Sequence, residues 1–279
     1  MKALDWRKQS LHVHTLACDG KQPPEVVARS AYGQKLQALG FSGHSYLPGD
    51  DASMAQDAFP SYCKRITKLK GEYTGEIWIL LGLEWDSFSP GQLPPELDYW
   101  IGSVHYIRGP KTGRLRAVDD DEAKLRRCIA EDFDGDGLSM AAAYFAQEAL
   151  MAKRKPTILG HFDLVKKFNR SNALFDETSP VYRAAALDAL AQADPKCSLL
   201  EINTGGMARG WRKDPYPSDF LLRAWKDMGG KIIITADAHE AGKLTYGYAQ
   251  AAQAAKDAGY TDTYVFNGKG WVPVQLELP

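Results

Sequence analysis

Six histidines are the residues of this 279-residue sequence whose positions point most directly to chemistry: His12, His14, His44, His105, His161 and His239. Two pairs of candidate ligands are spaced two residues apart, namely His12 with His14 and Asp237 with His239. Side chains alternate along an extended strand, so both members of each pair lie on one face and can reach a common centre. Imidazole and carboxylate ligands without paired thiolates favour zinc, manganese or iron. These residues therefore predict a site for divalent metal ions.

Each histidine falls at, or just beyond, the carboxyl end of a predicted strand. Short apolar runs predict strands at residues 10–15, 41–44, 77–84, 99–104, 157–160, 199–203, 231–235 and 263–266. The longer runs between them predict helices at residues 24–39, 61–69, 119–129, 139–153, 180–193, 218–228 and 248–258. Strands that alternate with helices indicate parallel pairing and an α/β fold. The length suits one α/β barrel domain that covers residues 1–279.

Three further polar residues share this position at strand ends: Glu84, Asn203 and Asp237. In a parallel α/β barrel the carboxyl ends of the strands face the active site. A single histidine there is more often a structural residue than a ligand. Glu84, however, follows a long apolar run, and a carboxylate that enters a core needs a partner such as a metal ion. Because so many polar residues share one position, a metal centre is a better interpretation than a set of unrelated structural residues.

The composition argues against several classes of partner. The chain has 34 Lys and Arg against 35 Asp and Glu, so it lacks an overall basic footprint for nucleic acid. Its four cysteines form no C-x-x-C pair, which is typical of reduced thiols in an intracellular protein. The first residues lack an apolar signal core, and no apolar run approaches the roughly 20 residues that span a membrane. We therefore expect a cytoplasmic protein that acts on a small molecule, with no nucleic-acid or membrane partner.

The motifs around the histidines resemble those of the PHP (polymerase and histidinol phosphatase) superfamily. They occur in this order: His12-Val-His14-Thr-Leu-Ala-Cys-Asp19-Gly20, Gly43-His44-Ser45, Gly82-Leu-Glu84, Gly102-Ser-Val-His105, Gly160-His161-Phe-Asp163 and Thr235-Ala-Asp237-Ala-His239. Within the superfamily the sequence is similar to the histidinol-phosphate phosphatases, through segments 98–105, 160–167 and 201–206 and the Pro-Tyr-Pro sequence at 215–217. The resemblance covers about residues 10–250, nearly the whole chain.

The resemblance implies a distorted (β/α)7 barrel, similar to a TIM barrel, that forms one metallophosphatase domain. It also implies three divalent metal ions (Zn, Fe or Mn). The ligands of the first would be His12, His14, Glu84 and Asp237. The second would share Glu84 as a bridge and add His105 and His161, and the third would be held by Asp19, His44 and His239. The residues expected to act directly in catalysis are Glu84, Asp237 and His239.

The reaction that the resemblance implies is hydrolysis of L-histidinol phosphate to L-histidinol and phosphate, a step of histidine biosynthesis. Phosphate monoesters hydrolyse extremely slowly without a catalyst. A water that bridges metal ions loses its proton near neutral pH, and the resulting hydroxide is the expected nucleophile. The metals would also neutralise the phosphate oxygens and stabilise the leaving alkoxide. No serine or cysteine nucleophile is then required.

Four residues near the strand ends are candidates for contact with the substrate. Arg209 follows a loop with two glycines that permit close backbone approach, so we expect it to hold the phosphate. Arg212 is a second candidate for the same role. Asn203 could orient the substrate or cap a turn, and Trp85 could line the imidazole side of the pocket or pack in the core. The basic pair at residues 166–167 is expected on the surface.

Two other functions remain open at the level of the sequence. The first is a PHP phosphoesterase with another substrate, either a nucleotide or an oligonucleotide phosphodiesterase. The balanced charge and the lack of an appended nucleic-acid domain argue against it. The second is a PHP module that only binds or stabilises a partner. Such a module would be expected to lose ligands, whereas all nine are present here.

Overall fold

The computed structural model describes residues 3–277. Its strands are β1 Gln9–Ser10, β2 Ala38–Phe41, β3 Trp78–Asp86, β4 Tyr99–Ser103, β5 Tyr106–Arg108, β6 Leu115–Ala117, β7 Ile158–Leu159, β8 Leu199–Asn203, β9 Lys231–Thr235, β10 Asp262–Phe266 and β11 Trp271–Gln275. Seven of them form one sheet in the order β1-β2-β3-β4-β7-β8-β9. Every neighbouring pair in this sheet is parallel, so all seven carboxyl ends lie at the same end of the sheet.

The two edges of the sheet meet just beyond β1 and β9. Val13 and Ala238 form a parallel bridge. The backbone N–H of His14 donates to the carbonyl of Ala238 at 2.9 Å, and the N–H of Ala238 donates to the carbonyl of His12 at 2.9 Å. The seven strands therefore form a nearly closed barrel, which confirms the predicted fold class. The bridge also places His12 and His14 beside the segment that carries Asp237.

The helices surround this barrel. They are α1 Pro24–Gly33, α2 Phe59–Glu72, α3 Glu122–Phe133, α4 Gly137–Ala152, α5 Pro180–Leu190, α6 Gly205–Ala208, α7 Asp219–Asp227 and α8 Tyr248–Asp257. Proline stands in the first turn of α1, α2 and α5, where its fixed φ suits a helix start. The carboxylates of Asp121 and Asp136 cap α3 and α4 by accepting backbone N–H groups. The buried faces of the helices pack on the strands in one large apolar core.

A smaller apolar cluster fills the interior of the barrel. Its members are Leu11, Ala38, Leu80, Tyr99, Ile101, Ile158, Leu199 and Ile233. Aromatic residues of the antiparallel β10–β11 hairpin pack against it: Tyr264, Phe266 and Trp271. Leu80 and Glu84 are four residues apart on β3, so both point to the interior. The apolar layer therefore lies beneath a polar layer that Glu84 enters from the carboxyl end.

Several element boundaries differ from those predicted from the sequence. Helix α1 ends at Gly33 rather than at residue 39, because Lys35 adopts a positive φ of 61° and residues 38–41 form β2. The regular part of the first strand is only Gln9–Ser10. The last predicted strand lies outside the barrel and pairs with β11. Neither β11 nor the β5–β6 hairpin was predicted. No helix in residues 3–277 is both long and apolar enough to cross a membrane.

Candidate metal centre

Glu84 lies at the centre of the histidine cluster and is 1 % exposed. Its Oε1 atom lies 3.0 Å from Nε2 of His161 and 3.4 Å from Nε2 of His105. Its Oε2 atom lies 3.1–3.4 Å from ring nitrogens of three other histidines: His12, His14 and His44. The two oxygens therefore face different histidines, which is the arrangement expected of a carboxylate that bridges two metal positions.

The candidate ligand atoms fall into four groups, and within each group the atoms lie within 4.8 Å of one another. The groups are His12, His14 and Asp237; His12, Glu84 and His161; His44, Glu84 and His105; and His14, Asp19, His44 and His239. All nine residues that the sequence assigned to metal binding occur in these groups. The division differs from the predicted one, because His12, His14 and His44 each belong to more than one group. Shared members make the centre contiguous, with room for more than one ion.

Asp19 lies on the outer side of the centre. Its Oδ2 atom is 3.0 Å from Nε2 of His239, and its Oδ1 atom is 3.5 Å from Nδ1 of His14. Gly20 allows this loop to fold back on the strand, since a Cβ atom there would lie 2.3 Å from the backbone nitrogen of Thr15. The short loop thus brings Asp19 within reach of two histidines.

Four buried atoms of the centre make no hydrogen bond among the described residues: Nε2 of His12, Nε2 of His14, Oε2 of Glu84 and Nδ1 of His161. Leaving a buried polar atom without a partner costs about 1–3 kcal/mol. Imidazole nitrogens and carboxylate oxygens are common metal ligands, so bound divalent ions would supply partners for the atoms of His12, His14 and Glu84. The side chains present therefore fit a metal centre.

The carboxylates of the centre are held in their ionised form. Burial alone would raise the pKa of Glu84, but the charges of His12 and His44 hold it well below its usual value. Burial likewise opposes ionisation of Asp237, whose pKa is held well below its usual value by Arg209 and His12. Both carboxylates are therefore negative at neutral pH, as metal ligands must be.

The histidines differ from one another in protonation. Burial, together with the charges of His239 and His44, lowers the pKa of His14 to about 3, so its ring is neutral at pH 7. Burial also acts to lower the pKa of His12, but the charges of Glu201 and Glu84 raise it well above its usual value. A ligand nitrogen must be free of its proton, so metal binding at His12 has to displace one.

A cavity of about 570 Å³ opens onto the centre. Besides residues of the centre itself, its walls carry three cationic side chains, Lys124, Lys167 and Arg209, and four more carboxylates, Asp50, Asp51, Asp119 and Asp120. No serine or cysteine of the described chain is among its lining residues. Cavities of this size are typical of small-molecule sites. The cavity therefore offers both a cationic and an anionic contact to a small substrate.

Arg209 is the predicted substrate residue that the structure places in this cavity. Its Nη2 atom donates to Oδ2 of Asp237 at 2.9 Å, and its Nη1 atom lies 3.0 Å from Nδ1 of His239. Gly205 makes this approach possible, because a Cβ atom there would lie 2.5 Å from Asp237 and 2.9 Å from Arg209. The guanidinium group is therefore oriented toward the metal ligands.

The other three predicted substrate residues lie outside the lining of the cavity. Arg212 donates to Oε1 of Glu177 at 3.2 Å and to a backbone carbonyl. Asn203 is fully buried and accepts from the N–H of Gly205 at 2.8 Å, so it caps the turn that precedes α6. Trp85 is 4 % exposed and belongs to the apolar core. Asn203 therefore caps a turn, and Trp85 packs in the core; each position agrees with the structural alternative stated for it.

The basic pair at residues 166–167 is buried, which corrects the expectation of a surface position. Lys166 is 2 % exposed, and its Nζ atom is 2.8 Å from Oδ2 of Asp163 and 2.7 Å from Oγ of Ser218. Lys167 lines the cavity and donates to the backbone carbonyl of Asp119 at 2.5 Å. Ion pairs of Lys166 with Asp163, three residues earlier, and of Lys167 with the distant Asp119 offset the cost of burying these charges. Asp119 and Ser218 are far away in sequence, so only the fold reveals them as partners.

The barrel and its histidine–carboxylate ligands are those of a metal-dependent hydrolase of the α/β class. Residues 10–205 match the sequence model described as the PHP domain, and the chain belongs to that family.

Two curated relatives carry phosphatase names. The chain is 30 % identical over 264 residues to a probable histidinol-phosphatase of Deinococcus radiodurans, covering 89 % of this chain and 92 % of the relative. It is 25 % identical to the histidinol-phosphatase of Bacillus subtilis, covering 87 % and 97 % respectively.

Two solved structures share the fold. The histidinol phosphate phosphatase of Lactococcus lactis, described as a complex with zinc, L-histidinol and phosphate, superposes with a TM-score of 0.65 at 21 % identity, covering 95 % of this chain and 99 % of that one. A putative histidinol phosphatase of Listeria monocytogenes gives a TM-score of 0.71 at 20 % identity, covering 86 % and 98 %. Both confirm the PHP barrel architecture.

Proposed function

We propose that this protein is a histidinol-phosphatase, a metal-dependent phosphomonoesterase that hydrolyses L-histidinol phosphate to L-histidinol and phosphate. The observation that carries the proposal is the position of Glu84, whose two oxygens face five histidines beneath a cavity of small-molecule size. The names of the curated relatives and the ligands of the Lactococcus lactis structure indicate the ester.

Nine residues would hold the metal ions, of which we propose three: His12, His14, Asp19, His44, Glu84, His105, His161, Asp237 and His239. Zinc is the first candidate because the Lactococcus lactis structure contains it, and the same donors suit iron or manganese. Bound ions supply Lewis-acid stabilisation of phosphate oxygens and activate water as a nucleophile.

The cationic residues of the cavity bind and orient the ester. Arg209 is oriented by Asp237 and His239, and its planar guanidinium suits two phosphate oxygens at once. Lys167 projects into the same cavity from the loop after β7 and offers a second positive charge. Together they place the phosphate over the carboxyl ends of the strands.

Water attacks the phosphate directly, without a covalent intermediate on serine or cysteine. Neither residue type is found among the described lining residues. Cys18 lies beside the centre, but burial raises the pKa of its thiol to about 12, so it is not a thiolate nucleophile at neutral pH. Asp237 is the residue proposed to accept the proton of the attacking water, and Nδ1 of His239 lies 3.5 Å from its Oδ1 atom.

A substrate panel on the metal-reconstituted protein tests the proposal. The panel contains L-histidinol phosphate, other phosphomonoesters, nucleotides and short oligonucleotides. We expect kcat/KM for L-histidinol phosphate to exceed that for the other monoesters by at least about tenfold, since recognition of the amino alcohol adds binding energy on the order of 1.4 kcal/mol or more. Faster cleavage of a phosphodiester would instead identify the chain as a PHP diesterase or nuclease.

A further inference from the structure

A fully buried glutamate, Glu201 of β8, lies behind the metal centre and is not one of the nine candidate ligands. Its Oε1 atom accepts from Nδ1 of His12 at 2.6 Å and from Oγ1 of Thr235 at 2.6 Å. Its Oε2 atom accepts from the backbone N–H of His161 at 2.7 Å and from Nδ2 of Asn203 at 3.0 Å. Four donors from four segments of the barrel therefore converge on one carboxylate.

From this arrangement we infer that Glu201 is a positioning residue of the metal centre, which fixes the ring of His12 for metal binding through Nε2 and sets its distance from His161. A carboxylate has acceptor sites for four donors, and all four are used here. Because Nδ1 of His12 donates to Glu201, Nε2 is the ring nitrogen that faces Glu84, and it can bind a metal ion once its own proton is lost. Buried carboxylates that orient a ligand histidine in this way are a recurrent part of metal sites.

His12 and His161 stand on opposite sides of Glu84. Nε2 of His12 is 3.1 Å from Oε2 of Glu84, whereas Nε2 of His161 is 3.0 Å from its Oε1. Glu201 contacts the side chain of the first histidine and the backbone of the second, so it touches two members of the group formed by His12, Glu84 and His161. His12 also belongs to the group with His14 and Asp237, so the contact reaches two of the candidate groups. The group formed by His14, Asp19, His44 and His239 contains no residue that hydrogen-bonds to Glu201.

The substitution Glu201→Gln tests this role sharply. Glutamine has one acceptor oxygen, so its NH₂ group faces two donors whichever way the amide is turned. If the NH₂ group faces His12, the ring must take the other tautomer, with the proton on the nitrogen that binds metal. If it faces His161, the backbone N–H loses its acceptor and the segment shifts.

The matched control is Glu148→Gln. Glu148 is also fully buried, and its described hydrogen bond is to the hydroxyl of Tyr144 at 2.7 Å, with none to a candidate ligand. Both variants exchange a buried glutamate for glutamine, and a loss that reflects only the burial of a changed polar group would appear in both.

The experiment measures metal affinity by competition with a chelator, without substrate, on full-length wild type and both variants. It rests on the proposed metal centre and is independent of the ester, so a wrong substrate assignment leaves it intact. We expect Glu201→Gln to bind two of the metal equivalents about 10–100-fold more weakly while the remaining one is unchanged, and Glu148→Gln to match wild type. Wild-type affinity in Glu201→Gln, or equal losses in both variants, would overturn the inference.

A second measurement stands even if Glu201→Gln fails to fold. In the zinc-loaded wild-type protein, nitrogen NMR of the histidine rings should show His12 with a proton on Nδ1 and zinc on Nε2. Zinc coordination through Nδ1 of His12 would overturn the inference, because that atom could not then donate to Glu201.

Discussion

Nη2 of Arg209 donates to Oδ2 of Asp237 at 2.9 Å, so the cation of the cavity is held directly against a proposed metal ligand. The carboxylate in turn is kept ionised by this guanidinium and by His12. The contact between Arg209 and Asp237 therefore links the proposed phosphate-binding residue to the metal centre. A substitution of Arg209 should change both KM and kcat.

Replacing Arg209 with alanine should lower kcat/KM for the phosphate ester by about 10²–10³-fold, because a preorganised charge-assisted donor is lost where negative charge develops. Arg212→Ala is the matched control from the same loop, since Arg212 is engaged by Glu177 outside the cavity. Steady-state kinetics of both variants test this prediction. Equal losses of kcat/KM in the two variants would show that Arg209 does not hold the phosphate.

Substitutions of the adjacent Lys166 and Lys167 should have different effects, one mainly on stability and the other mainly on substrate binding. Lys167→Met removes a cation that lines the cavity, so we expect KM for the ester to rise. The free energy of unfolding should fall less than in Lys166→Met, because the partner Asp119 is only partly buried. Lys166→Met strands the buried carboxylate of Asp163 and should destabilise the fold by about 3–5 kcal/mol. Kinetics and denaturant unfolding of both variants check this, and a KM effect confined to Lys166→Met would contradict the assignment.

Metal loading should release protons at neutral pH. The pKa of His12 is raised well above its usual value by Glu201 and Glu84, against the effect of burial. The pKa of His105 is raised in the same way by Glu84 and Asp86. Both histidines are therefore protonated on both ring nitrogens at pH 7 in the metal-free protein. Metal binding must displace one proton from each ring, so the apparent metal affinity increases as pH rises toward their pKa values.

Calorimetric titration with zinc at pH 7, in two buffers of different ionisation enthalpy, measures this release. His14, whose pKa is lowered to about 3, is already neutral and adds no proton. Binding heats that do not depend on the buffer would show that the histidines are neutral before the metal arrives.

Glu84→Gln should abolish metal binding at the two positions that its oxygens face. Glutamine keeps the shape but offers one uncharged oxygen, and the amide nitrogen would face histidine nitrogens at 3.0–3.4 Å. Metal content by mass spectrometry and activity should fall together, the latter by at least about 10³-fold. Stoichiometric metal in this variant would exclude Glu84 as the bridging ligand.

Eight of the nine candidate ligands could be predicted from the sequence because each follows a short apolar run and two pairs have strand spacing, whereas Asp19 came only from the family resemblance. The alternation of side chains along a strand is enough to bring together His12 with His14 and Asp237 with His239. The parallel order of the strands then placed Glu84 among them. Periodicity and motif were enough for the barrel and its polar end.

The parts that sequence reasoning missed depend on long-range contacts. Lys166 and Lys167 have the pattern of a surface pair, and only the fold supplies the distant Ser218 and Asp119 as partners. Glu201 lies within an apolar strand, yet its four donors come from segments up to 189 residues away. The β5–β6 hairpin is short and partly exposed, so its residues carry no strong strand pattern.

The proposed phosphomonoesterase activity depends on the histidine–carboxylate centre. Its most direct test is kcat/KM for L-histidinol phosphate on metal-stripped protein before and after titration with zinc or manganese. We expect no activity above background in the stripped protein and full recovery as up to about three equivalents bind, since metal-free sites cannot activate water at neutral pH. Undiminished turnover by protein shown to be free of metal would contradict it.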